Sequence, residues 1–144
     1  MSADYAIASD RNLVFFRFYD QVSLEDCTDA LKAFAQDPKY RPSLAHLMDF
    51  SSVDKFIMEE GDLVALVQLE QELFHDVPKG TPCASFALDD AVIQTAKAYA
   101  MLCGSTLPFR CTVHGSMADA MKAASERPRP QAVGDAGLKQ GSRS

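Results

Sequence analysis

The sequence predicts a single α/β domain on a mostly parallel sheet, and three observations predict it. Strand-like apolar runs alternate with capped, helix-periodic stretches in the order β-β-α-β-α-β-α-β-α, five strands and four helices. The run Leu13–Tyr19 is apolar on both faces, with Val14, Phe16 and Phe18 on one and Leu13, Phe15 and Tyr19 on the other. Such a strand belongs at the centre of a sheet covered on both sides. The 144 residues fit one domain and are enough to bury a core without covalent staples.

Tyr5–Ser9 reads as a short strand, and the polar turn Asp10-Arg11-Asn12 joins it to Leu13–Tyr19 as a hairpin. Ser23 with Asp26 three residues on is a capping-box variant, and Leu24, Cys27, Leu31 and Phe34 continue as one helical stripe. Pro38 and Pro42 bracket the end of that helix, because proline cannot continue it. Leu44–Phe50 reads as the third strand and Ser51–Met58 as a loop. The second helix runs from about Glu59 to His75, with Leu63, Leu66, Val67, Leu73 and Phe74 on one side and acidic groups in its first turn. Pro82–Leu88 is the fourth strand. Asp89 then caps a helix with Val92, Ala96 and Tyr99 on one side, and Gly104 is its expected stop. Phe109–Val113 is the fifth strand, and Ser116 caps a short helix holding Met117, Ala120 and Met121.

Each helix after the hairpin links two strands, which requires parallel pairing. If the strands lie in sequential order, the connecting helices share one face and the other face needs a cover. A second copy of the chain is the expected cover, so the sequence points to self-association.

Fourteen basic and 20 acidic residues give a net charge of −6. The segment 125–144 carries four basic and two acidic groups, which leaves residues 1–124 at −8. With few large apolar side chains, 125–144 is expected to be a disordered polar tail behind a folded body of 1–124. That body lacks the clustered cations that nucleic-acid binding requires. No run of 18 apolar residues is present to span a bilayer and no signal-peptide pattern opens the chain, so the expected compartment is the cytoplasm. Eight acidic residues between Asp49 and Asp76 form a stretch suited to a basic partner surface.

Chemistry-bearing motifs are sparse. None of the seven glycines forms a phosphate-cradling loop. Cys27, Cys83, Cys103 and Cys111 form no Cys-x-x-Cys pair, and His46, His75 and His114 are scattered, so no metal and no cofactor are expected. A nucleophilic site would draw on Cys103 or Ser51, with His114 or His46 as base and Asp49 as orienter. That is the pattern of a small hydrolase using Asp49 and His114. No Gly-x-Ser-x-Gly elbow supports it, and a non-catalytic domain is the favoured reading.

The stretch Asp49-Phe-Ser-Ser-Val-Asp-Lys-Phe-Ile-Met-Glu-Glu-Gly-Asp-Leu63 resembles the STAS family, named for sulfate transporters and anti-sigma-factor antagonists. Asp49, Ser51, Val53 and Gly61 match that family's strand-to-helix segment in order, with one residue inserted. The Asp37-Pro38-x-Tyr40-x-Pro42 turn, the helix from Asp89 or Asp90 through Ala96 and Tyr99, and Phe109-Arg110 are similar to STAS-like bacterial proteins whose βα superhelix is shared with CRAL-TRIO lipid-transfer domains. The resemblance spans residues 5–124 and implies a STAS-like βα superhelix with an N-terminal hairpin. It implies a regulatory or protein-interaction module that contacts a protein partner or second copy through Asp49, Ser51, Ser52, Phe56, Ile57, Glu59 and Glu60. The lipid-transfer likeness implies the alternative of a small apolar or lipid-like ligand, held in a cleft lined by Phe56, Ile57 and Phe74. Where antagonists of that family accept phosphate on serine, this chain has Met58, Glu59 and Glu60, with no hydroxyl to phosphorylate.

Overall fold

A computed structural model describes residues 2–127, the Glu60 side chain excepted. The elements are β1 (Ala3–Ala8), a 3-10 turn (Ser9–Arg11), β2 (Leu13–Ser23), α1 (Leu24–Ala35), β3 (Ala45–Ile57), α2 (Glu60–Leu73), β4 (Thr81–Phe86), α3 (Asp90–Thr106), β5 (Phe109–His114) and α4 (Met117–Ser125). The five strands lie in the order β1-β2-β3-β4-β5. β1 is antiparallel to β2, and the later pairs are parallel. This is the α/β architecture the alternation of elements predicts.

α1, α2 and α3 share one face. Val14, Phe16 and Phe18 of β2 and Met48 and Phe50 of β3 meet Leu31 and Phe34 of α1, Leu66 and Val67 of α2, and Val92 and Ala96 of α3. The opposite face carries Leu13, Ala45, Leu47 and Ala84 against Ala120, Ala123 and Ala124 of α4. Alanines on both sides let the helix lie close to the sheet. The cover expected from a second copy is therefore supplied by the chain's own last helix, which explains why β2 is apolar on both faces. Beyond α4, Arg127 donates to the carbonyls of Asn12 at 2.5 Å and Ser43 at 3.1 Å, fixing that end of the chain near the starts of β2 and β3. Ser125 and Arg127 thus belong to the described body, and the remainder of the expected polar tail, 128–144, lies outside the described residues.

The capping box of α1 forms as its sequence predicts. The Ser23 hydroxyl accepts from the Asp26 amide at 3.2 Å, and the Asp26 carboxylate accepts from the Ser23 amide at 3.0 Å. Ser23→Ala is expected to cost about 1 kcal/mol, read as a lower denaturant midpoint with an unchanged slope.

Several boundaries differ from the sequence reading, β2 running on to Ser23 among them, and two have a local physical cause. Gly104 does not stop α3, which runs to Thr106. Pro108 ends it by driving Leu107 to extended geometry, φ −115° and ψ 159°. Ser51–Met58 is largely strand, because β3 continues to Ile57. Beyond Asp49, β3 leaves β4 and pairs with β2 alone, Tyr19–Ser23 against Ser52–Ile57. The result is a two-stranded ribbon projecting past the sheet. Two register shifts each give β3 one extra residue, and Asp20 on the facing strand adopts a left-handed φ of 59°. Such bulges bend and twist a ribbon. A strand paired on one side and twice bulged has little apolar alternation, so its sequence reads as a loop.

Candidate functional site

The bent ribbon brings Phe56 back towards the helical face, where its ring meets Phe50 edge-on at 5.4 Å. A cleft opens beneath it at the carboxyl end of the sheet, the end at which open α/β sheets hold their ligands. Its walls are Cys27 and Leu31 from α1, Met48, Phe50 and Phe56 from β3, Leu63 and Leu66 from α2, and Thr95 and Ala96 from α3, with Met58 between β3 and α2. The cleft holds about 420 Å³ of unfilled space with its mouth included, narrowing to about 40 Å³ wide enough for a water molecule.

The Thr95 hydroxyl is spent on the Ala91 carbonyl, and two further polar side chains line this space, Glu70 of α2 and Tyr99 of α3. Glu70 is 1% exposed. The Tyr99 hydroxyl lies 2.8 Å and 2.7 Å from its two carboxyl oxygens. Burial pushes the Glu70 carboxyl up to about 8, with the Tyr99 hydrogen bond opposing the shift. Burial also raises the Tyr99 hydroxyl well above its ordinary value, with Glu70 adding to the shift. The neutral acid suits this geometry. It has one proton to give and one oxygen to receive the tyrosine's hydrogen, whereas a carboxylate would share a single hydrogen between two buried oxygens.

Sequence reading did not single out this pair. Glu70 belongs in sequence to the acidic stretch of 49–76, yet it sits on the buried stripe of α2, four residues after Leu66 and four before Phe74. A carboxyl at that spacing is the signal that could have found it. Tyr99 lies on the predicted stripe of α3, and only the fold brings its hydroxyl to Glu70.

The residues that the STAS resemblance nominates divide between two places. Asp49 and Ser51 brace the first bulge, where Asp49 Oδ1 accepts from the Ser51 amide at 2.9 Å and the Ser51 hydroxyl at 2.6 Å. Ser52 is exposed on the ribbon. Phe56 lines the cleft, but Ile57 does not and is 51% exposed. Phe74, expected beside them, is fully buried elsewhere, among Phe34, Tyr40, His46 and Phe109. Glu59 is the N-cap of α2, and its amide donates to Asp62 Oδ2 at 3.1 Å. Glu60 opens α2.

The groups of the hydrolase alternative do not meet. Arg17, Asp49, Phe86 and His114 are successive register partners across the sheet. Asp49 and His114 therefore stand two strand spacings apart, about 10 Å, with Phe86 between them. His114 Nε2 instead shares a 2.8 Å hydrogen bond with Thr112 Oγ1. His46 is enclosed by aromatic rings, and burial lowers its imidazole to about 3. Cys103 is fully buried. Its thiol is raised by a hydrogen bond with Cys111 and by burial, the reverse of what a nucleophilic cysteine needs. All four cysteines are free. Among the described residues no group of three or more His, Cys, Asp or Glu side chains is placed to hold a metal ion, and no helix is long and apolar enough to cross a membrane.

No protein-family model matches the chain, and no curated protein matches it. Among solved structures it is similar to an uncharacterized protein of the DUF3478 family from Shewanella loihica PV-4, described as having a SpoIIAA-like fold. The match has a TM-score of 0.53 and 14% sequence identity, and it covers 82% of this chain and 88% of that one. At that identity the likeness concerns the fold. The chain has the SpoIIAA-like, or STAS-like, fold.

Proposed function

We propose that this STAS-like chain is a non-catalytic binding domain that takes a small, largely apolar ligand in the cleft beneath the β2–β3 ribbon. The cleft carries the reading. It lies at the carboxyl end of the sheet, four elements supply its largely apolar walls, and its polar side chains are one buried pair and Thr95, whose hydroxyl is spent on the Ala91 carbonyl. Its inner space of about 40 Å³ is small, so the ligand is a short chain or a single ring that enters as the walls part, smaller than a membrane lipid. The free thiols suit a reducing, cytoplasmic setting.

Titration of the 15N-labelled chain with 1-hexanol tests this. Saturable amide shifts are expected around Cys27, Met48, Leu63 and Tyr99, and Leu63→Trp, which fills the cleft, is expected to abolish them. Shifts that are absent, scattered over the surface or undiminished in Leu63→Trp would sink the reading.

A second reading is favoured by exposed apolar side chains where the ribbon enters α2. Ile57 is 51% exposed and Val64 42%. With Glu59 and Asp62 nearby, this junction suits a basic, partly apolar protein surface. Since α4 covers the face once assigned to a second copy, a regulatory partner or another copy would dock at this junction.

A further inference from the structure

We infer that the cleft selects a cationic ligand, a primary amine on a short aliphatic or aromatic body, with its ammonium group seated on the Glu70–Tyr99 pair. The inference rests on the ligand-binding reading above and names the chemistry of the ligand's head group. Among the described residues Glu70 is the only carboxyl lining the cleft. Among them its two oxygens have one side-chain hydrogen-bond donor between them, from Tyr99. An ammonium group brings three N–H donors and a full positive charge, which supplies what the ionised carboxyl lacks. Phe50 and Phe56 also line the cleft, packed edge to face at 5.4 Å, and aromatic rings in a wall attract a cation that reaches their faces. Outside the mouth, Asp62 and Glu59 begin α2, and residues 1–124 carry a net −8, so the long-range field draws cations and repels anions. A neutral alcohol would gain the apolar walls alone.

The groups facing Glu70 make this selectivity dependent on pH. Tyr99 touches it, Cys27 of α1, Cys103 of α3, Cys83 of β4 and Cys111 of β5 lie within reach of its charge, and none of them supplies a positive charge. An arriving ammonium is then the counter-ion that stabilises the carboxylate, and its binding releases the Glu70 proton to solvent. Linkage fixes the direction. Each unit of pH below the free carboxyl's titration weakens amine binding by about tenfold, and an alcohol is indifferent.

Hexylamine and 1-hexanol, matched in chain length, separate the possibilities by titration of the full chain at pH 6, 7 and 8. Hexylamine is expected to bind about tenfold more tightly at pH 7 than at pH 6, with 1-hexanol unchanged between them. Glu70→Gln is expected to abolish the pH dependence and the preference for the amine, while 1-hexanol still binds. Equal binding of amine and alcohol, or amine binding indifferent to pH in the wild-type chain, overturns the cationic class and leaves the apolar cleft standing. Failure of both compounds to bind overturns the cleft reading with it. The wild-type pH series decides the matter even if Glu70→Gln does not fold.

Discussion

Phe34→Ala is expected to lower the unfolding free energy by about 3–5 kcal/mol. Phe34 is fully buried on α1. Its ring packs edge-on against Phe16 at 5.4 Å, Tyr40 at 5.1 Å and His46 at 5.4 Å, and it lies 6.0 Å from Phe74. These neighbours come from β2, the α1–β3 turn, β3 and the end of α2. Removing the ring thus leaves a cavity bounded by several elements that cannot all collapse into it at once. Urea denaturation followed by circular dichroism reads the loss. A fall of less than about 1 kcal/mol would mean that the aromatic nest repacks freely and is not the organising contact of this core.

The second large effect is a stability profile with two flanks set by two buried groups. The folded Glu70 carboxyl titrates near 8, above its unfolded value, so it contributes stability that is complete below about pH 4.5 and is lost as pH rises through 8. The folded His46 imidazole titrates near 3, below its unfolded value, so its contribution is present above about pH 6.5 and is lost as pH falls towards 3. Between those unfolded values the two slopes cancel. Stability is therefore expected to be level from about pH 4.5 to 6.5 and to fall on either side, by about 2 kcal/mol between pH 6 and 8.5 on the alkaline flank. Glu70→Gln should flatten that flank and spare the acid one. A wild-type profile level from pH 6 to 8.5, or an alkaline flank unchanged in Glu70→Gln, would show that Glu70 is ionised and solvated in the folded chain.

How much of this was legible in the sequence depends on how local each cause is. The capping box at Ser23 and Asp26 and the stripe from Leu24 to Phe34 are fixed by neighbours three and four residues apart, and the structure realises both. The two-sided apolar pattern of β2 announces a cover on each face without naming it. The cover is α4, whose Ala120, Ala123 and Ala124 are too small to mark a buried face by hydrophobicity. The extension of β3 was hidden because Ser51, Ser52, Asp54 and Lys55 are held by pairing with β2 and by the Asp49–Ser51 hydrogen bonds. Of the residues nominated for binding, Phe56 reaches the cleft, whereas the carboxyl and hydroxyl that give the cleft its polarity meet only when α2 and α3 pack together. The pairing of two helices is not written in either one.

The ribbon has a mechanical consequence. α1 starts directly after Ser23 and α2 starts three residues after Ile57, so both helices spring from the same tip, where Ser23 and Ile57 are register partners. One wall of the cleft, Cys27 and Leu31, and the opposing one, Met58 and Leu63, are thus yoked to a single lever. At the root of that ribbon the Asp49 carboxylate holds the Ser51 amide and hydroxyl. The Asp–Ser pair that carries the STAS resemblance thus braces the part from which two walls of the cleft hang, and it is not itself among the cleft's lining residues.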